Sequence, residues 1–217
     1  MSSASETGTR TIDTGFIRSR LGSLLAVVPF GVWTVIHLWN NLAAFKGPAE
    51  WQSAVTEYSH PFAFFLSSLV ALLPLALHVV WGLGRLKTTR PNVGKYPYFA
   101  NLKYVLQRLS AIGLLLFLGA HIWLAMLRPR LMDGRPEPFA DIAHEMHHHT
   151  PTLIVYTLGV LGTAYHLANG VQTFAMGWGL VSSRRALRKL DVFVWIFFIV
   201  LLAMGWGAVY AIWDAGR

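Results

Sequence analysis

The chain has no cysteine among its 217 residues. It can form no disulfide, no cysteine-ligated iron–sulfur cluster and no thiol nucleophile of its own. Charge is scarce too: Asp, Glu, Lys and Arg make up 13% of the residues, against about a quarter in soluble globular chains. The first sixteen residues, MSSASETGTRTIDTGF, are polar and short of the apolar core a secretory signal has, so no cleavage is expected there. They read as part of a peripheral tail, residues 1–20. Acids are the scarcest charge, ten against eighteen bases, which leaves a net charge of +8. In a soluble chain that surplus would suggest nucleic acid; here its distribution over loops points to membrane topology, and no nucleic-acid partner is expected.

What is present is apolar: 54% of residues are hydrophobic and the mean hydropathy is +0.47. A hydrocarbon core of about 30 Å needs roughly 20 apolar residues of helix. Five such runs lie near 21–45, 61–84, 105–127, 152–178 and 192–213. The connections are too short for a second domain. The sequence therefore predicts an all-α membrane protein, with residues 21–217 forming one bundle of five transmembrane helices.

Arg10, Arg18 and Arg20 precede the first run, Arg85, Lys87, Arg90, Lys95, Lys103 and Arg108 surround the second connection, and Arg184, Arg185, Arg188 and Lys189 fill the fourth. The other face holds only Lys46, Arg128, Arg130, Arg135 and Arg217. The positive-inside rule then predicts a cytoplasmic N-terminus and an outside C-terminus.

The runs contain no aspartate, glutamate or lysine, and their one arginine, Arg108, sits in the first turn of the third. Four of them contain one histidine each: His37, His78, His121 and His166. Ionisable side chains at that depth are costly and by default functional. A lone histidine there could be a helix–helix hydrogen-bonding group or a proton relay. Four of them suit two six-coordinate haem irons, each taking an imidazole from both faces. Each lies past the middle of its run in the direction of the chain, and alternate helices run in opposite directions. His37 therefore pairs in depth with His121 in the outer half, and His78 with His166 in the inner half. At about 1.5 Å per residue the two levels stand on the order of 12 Å apart. Gly82 and Gly170 each follow a histidine by four residues, on the same helix face, and leave room for a flat porphyrin. Gly31, Gly113, Gly119 and Gly162 add small positions, though glycine also serves close helix packing.

One further motif competes for attention. His144-Glu-Met-His-His148 satisfies the H-E-x-x-H pattern of zinc proteases. A catalytic zinc needs a third protein ligand, and downstream only Asp191, Asp214 and His166 are offered, the first two at opposite faces and the third deep in a helix. The motif reads as part of a solvated outer loop.

The segments V35-I-H37-L-W-N-N, A76-L-H78-V-V-W-G, Q107-R-L-S…L118-G-A-H121 and, most specifically, Y165-H166-L-A-N-G170-V-Q-T-F resemble the dihaem cytochrome b subunits of succinate dehydrogenases and fumarate reductases. These are the b558 type, with five helices in one polypeptide. In that family the first four helices each donate a haem ligand and the fifth none, as distributed here. The resemblance implies two haem b groups and a bacterial cytoplasmic-membrane location. It also implies partner flavoprotein and iron–sulfur subunits docked on the cytoplasmic loops from Arg85 to Lys103. Electrons would pass between the iron–sulfur subunit and a membrane quinone, menaquinone being preferred. The chain alone would not oxidise succinate.

Candidates for the inner-haem propionates are Arg18, Arg20 and Arg108, with Ser23 and Tyr104 as hydrogen-bond donors. Glu50 and Glu57, beside Trp51, Tyr58 and His60, are candidates for the quinone end. Some fumarate reductases of this type carry a glutamate two residues before the fourth ligand; this chain has Ala164 there. An anchor for a formate dehydrogenase or hydrogenase, or a haem-free anchor, would share the helical pattern.

Overall fold

Backbone that lies in hydrocarbon must bond to itself, and in this chain the long segments do so as helix. The structure is a computed structural model describing residues 14–57, 60–87 and 90–217, the side chain of Arg18 excepted. Among these residues there is no strand.

Helix α1 runs over residues 14–46 and changes pitch on the way. Pro29 lies inside its π-helical turn, Ala26–Gly31. A proline ring lacks the N–H of a regular turn and collides with the carbonyl one turn back, so the wider turn relieves it. Gly47 then ends the helix at φ 110°, a conformation that side chains with a Cβ avoid. Pro48 opens the short α2, residues 48–56. Helix α3 is Pro61–Leu86. Its first turn is capped by the His60 ring, which accepts from the Phe62 N–H at 3.1 Å. Helix α4 is Phe99–Met132, with a π-helical turn at Ile122–Leu127 directly after His121. Helix α5 is Phe139–His148, α6 is Thr150–Gly177 and α7 is Arg184–Ala215. The helical path thus begins at Thr14, inside the segment read as tail, because nothing between Thr14 and Arg20 breaks it.

Among the described residues four helices are long and apolar enough to cross a membrane: Ser19–Lys46, Pro61–Leu86, Phe99–Met132 and Arg184–Ala215. At 28 residues α6 has the length, but Thr, Gly, Tyr, His, Asn and Gln dilute its hydropathy. The reason lies in its surroundings. Helix α6 packs most extensively on α7 and on α4, and it also meets α1. Gly159, Val160, Ala164, Ala168, Asn169 and Gln172 are buried there against protein.

Helix α1 packs on α3 and α7, whereas α3 and α4, though consecutive, make little contact. The bundle therefore has two walls, α1 with α3 and α4 with α6, joined behind by α7. Ala164 and Leu201 are completely buried in the joint beside Leu38. A carboxylate in place of Ala164 would be buried among apolar neighbours. The outer faces are apolar and open: Val80, Leu109 and Leu116 are 70%, 60% and 72% exposed. Apolar surface on that scale is what lipid covers.

Two ends of the bundle differ. The basic end carries the start of α1 and the connecting residues 90–98 and 178–183. The cap end is closed by α2 and α5, where the sequence reading expected solvated loops. Phe139, Ala143 and Met146 recur at helical spacing and bury one face of α5 beside Trp51, Ala211 and Ile212. That amphipathic pattern makes the segment a helix. Gln52 ties the two caps together: its Nε2 donates to Glu137 O at 3.0 Å and its Oε1 accepts from the Phe139 N–H at 2.9 Å.

Candidate functional site

The two walls bring the histidines together in pairs. His37 on α1 faces His121 on α4, with ring centroids 6.1 Å apart and planes at 67°. His78 on α3 faces His166 on α6 at 6.2 Å and 71°. The first pair lies toward the cap end and the second toward the basic end. Each pair spans the gap between the walls.

Three of the four rings are anchored at Nδ1. His78 Nδ1–H donates to the Gly22 carbonyl at 3.0 Å. The Trp81 ring on α3 lies directly against Gly22 on α1, so that any Cβ at Gly22 would collide with it. His166 Nδ1 lies 3.1 Å from Ser110 Oγ. The Ser110 hydroxyl donates its only proton to Gln107 O at 3.0 Å, so toward His166 it accepts. His121 Nδ1 lies 3.1 Å from Tyr156 Oη. His37 is held differently: its Nε2 is 3.4 Å from Asn41 Nδ2. Asn41 also donates to His37 O at 2.8 Å, while its Oδ1 accepts from Trp51 Nε1 at 3.1 Å. Trp33 stacks on His37 at 4.8 Å and Phe117 on His121 at 5.6 Å.

The basic-end pair sits on top of a polar ladder between α4 and α6. Gln107 Nε2 donates to His166 O at 3.1 Å, and its Oε1 accepts from Asn169 Nδ2 at 2.8 Å. One turn lower, Lys103 Nζ donates to Gln172 Oε1 at 2.9 Å and to Asp191 Oδ1 at 3.3 Å, and Gln172 Nε2 also bonds Asp191. Buried amides at these positions need such partners.

Do these residues fit a porphyrin with an iron? Two imidazoles that bind one metal from opposite sides, each at about 2 Å, hold their centroids about 6 Å apart. Both pairs meet that. Gly82, one turn after His78, has nothing within 4 Å of where a Cβ would stand, so space is open beside that ring. Gly170 is bounded by Gln107 Nε2 at 3.8 Å. Arg20 Nε at the basic end is buried without a hydrogen-bond partner among the described residues, which suits a carboxylate that approaches it. Donor chemistry, space and an orphaned guanidinium nitrogen agree with haem.

The remaining candidates are placed unevenly. Ser23 Oγ donates to Arg20 O at 2.7 Å and has Trp178 Nε1 at 3.4 Å, so its proton is committed. Arg108 lies 3.2 Å over the Tyr104 ring and donates to Tyr104 O. Glu50 and Glu57 are exposed, whereas Trp51 is 3% exposed and packs edge-on against Phe139 at 5.3 Å. Trp51 belongs to the core of the cap. Tyr58, the side chain of Arg18 and tail residues 1–13 lie outside the described residues.

The H-E-x-x-H residues form part of α5. His144 and His148 lie together on its exposed side, ring centroids 4.5 Å apart. His147 turns inward, its Nδ1 bonding Trp213 O at 3.0 Å. Glu145 accepts from Thr152 at 2.9 Å and lies 3.0 Å from His149. Among the described residues no three His, Asp or Glu side chains converge to hold a bare metal ion.

Comparison with known proteins fixes the family. The family described as succinate dehydrogenase/fumarate reductase transmembrane subunit matches residues 85–205. The chain is 33% identical over 198 residues to the succinate dehydrogenase cytochrome b558 subunit of Bacillus subtilis (strain 168), covering 90% of this chain and 96% of that one. The chain belongs to the succinate dehydrogenase/fumarate reductase transmembrane subunit family. No solved structure gives a significant match.

As a member of this family, the chain is a membrane cytochrome b subunit with an all-helical fold. Ser110, Tyr156, Gly22, Asn41 and Gln107 around its histidines were not singled out from sequence for these contacts. A serine three residues after Gln107 in a helix that faces a histidine helix is the one signal that could have pointed to Ser110.

Proposed function

We propose that this chain is the membrane anchor of a succinate:quinone oxidoreductase, binding two haem b groups, one between His37 and His121 and one between His78 and His166. The observation that carries this is the pair of histidine separations, 6.1 Å and 6.2 Å, across a gap lined by small residues. Each haem, when bound, supplies a one-electron centre, so that electrons can cross between an iron–sulfur partner and a membrane quinone. The chain's own work is to hold four imidazoles, keep the gap dry and receive the carboxylates at its basic end. Arg20 would bind a propionate, with Arg108, Tyr104 and Arg18 nearby in sequence or structure. In this reading α6 is the fifth span, its polar face buried against α4 and α7 and its Ile154, Val155 and Leu158 left for lipid, and the basic end is cytoplasmic.

The flavoprotein and iron–sulfur subunits would dock on that basic end. Quinone would bind near the cap-end pair, where Glu50 or Glu57 could exchange its protons; menaquinone is the preferred form. Purified protein assayed as pyridine haemochrome should give two haem b per chain and carry a flavoprotein and an iron–sulfur protein with it. One haem or none per chain would sink the two-pair scheme, and a different dehydrogenase in the preparation would sink the succinate assignment.

A further inference from the structure

The distances at Nδ1 carry more than the ligand assignment. An imidazole has two nitrogens, and the one not bound to metal usually donates its proton to a fixed acceptor, which sets the tautomer, the ring rotation and the basicity of the ligating nitrogen. With Nε2 given to a metal, His166 keeps its proton on Nδ1 and finds the acceptor in Ser110 Oγ at 3.1 Å, whose own proton goes to Gln107 O. His121 has Tyr156 Oη at 3.1 Å, and the Tyr156 ring meets His121 edge-on at 5.7 Å. His78 uses the Gly22 carbonyl, which no substitution of a side chain removes.

Resting on the haem reading above, we infer that Ser110 and Tyr156 are the positioning residues of the basic-end and cap-end histidines. Each accepts the Nδ1 proton of one histidine, leaves Nε2 to the iron and lowers the reduction potential of that haem alone. Neither residue touches iron. Both lie on a helix other than that of the histidine they hold: Ser110 on α4 serves α6, and Tyr156 on α6 serves α4. The two anchors are therefore reciprocal across the wall formed by these helices.

The direction of the effect follows from charge. A hydrogen bond accepted from Nδ1–H makes the imidazole a stronger donor, which favours ferric iron. Removing the acceptor should raise the midpoint potential. The test is redox potentiometry, by visible spectrum, on the purified full complex. Ser110→Ala should raise the potential of one haem component and leave the other unchanged, Tyr156→Phe should raise that of the other component alone, and Ser110→Thr should restore the first. Loss of one component alone in Ser110→Ala, held in Ser110→Thr, counts the same way. The inference is overturned if both potentials stay at the wild-type values, or if both variants move the same component. Wild-type protein without haem would instead overturn the reading it rests on, so the two failures are distinguishable.

Discussion

The two histidine pairs share a separation but not a setting. The basic-end pair is held by a backbone carbonyl, Gly22 O, and by a serine at the top of a ladder of buried amides that ends in Lys103 and Asp191. The cap-end pair is clasped by rings, Trp33 and Phe117 stacked on the imidazoles and Tyr156 at the edge, and is connected through Asn41 to the buried Trp51. One pair is tied to the contact of Gly22 on α1 with Trp81 on α3 and to charge at the surface. The other is tied to two short helices that close the bundle. The same ligand chemistry can thus be given different surroundings by packing alone, and surroundings are what tune a metal ligand.

That contrast can be broken first at the ligands. His78→Ala or His166→Ala should remove one haem component from the reduced-minus-oxidised spectrum, and His37→Ala or His121→Ala should remove the other. If all four erased the same component, the separation into two pairs would fail. The next largest effect is expected at the cap. Trp51→Ala deletes a 3%-exposed ring and its bond to Asn41, a loss of about 3–5 kcal/mol. Thermal loss of the spectrum in detergent should come earlier, with the cap-end component going first.

Gly22→Val is the corresponding probe of the basic end. Its Cβ would run into Trp81, at a cost of about 1–3 kcal/mol, and it should disturb the His78 component while sparing the cap-end one. Lys103→Met is milder. It removes a partly exposed ion pair with Asp191, 3.3 Å, and a bond to Gln172, together about 1 kcal/mol. A small fall in the melting temperature without change in either spectral component is the expected result; a spectral change would show that the ladder reaches the haem.

The smallest effect concerns Glu137 in the connection before α5. Burial, and then the neighbouring Asp141, raise its carboxyl above the usual range. A carboxyl whose folded pKa exceeds its unfolded one stabilises the fold below the unfolded value and loses that contribution as pH rises through the folded one. Glu137→Gln should therefore flatten the pH dependence of cap-end melting on the mildly acidic side. An unchanged profile would remove Glu137 from the account.

Much of the scaffold was legible because hydropathy and the fixed rise of a helix are local properties. Long apolar runs identified α1, α3, α4 and α7, and the same rise placed each histidine along its helix. Helix α6 was readable as a helix too, although its Thr, Tyr, Asn and Gln set it below the apolarity of a lipid-facing span. Those residues are there because its neighbours are helices, and a linear sequence does not say which neighbours. The cap was misread as loop for a related reason: α2 and α5 are short, and their apolar residues acquire meaning only when Trp51 meets Phe139 and Met146 is buried.

The amino-acid sequence by itself determined a cysteine-free helical membrane chain with one histidine in each of four apolar runs, since composition and periodicity need no knowledge of contacts. Only the tertiary structure decided that Ser110 and Tyr156 stand at the Nδ1 atoms, that Gly22 offers its carbonyl to His78, and that α3 and α4 leave a gap between them. Those facts depend on how each helix is rotated about its axis and on which helices touch. Rotation and contact are settled by packing among residues 35 to 56 positions apart.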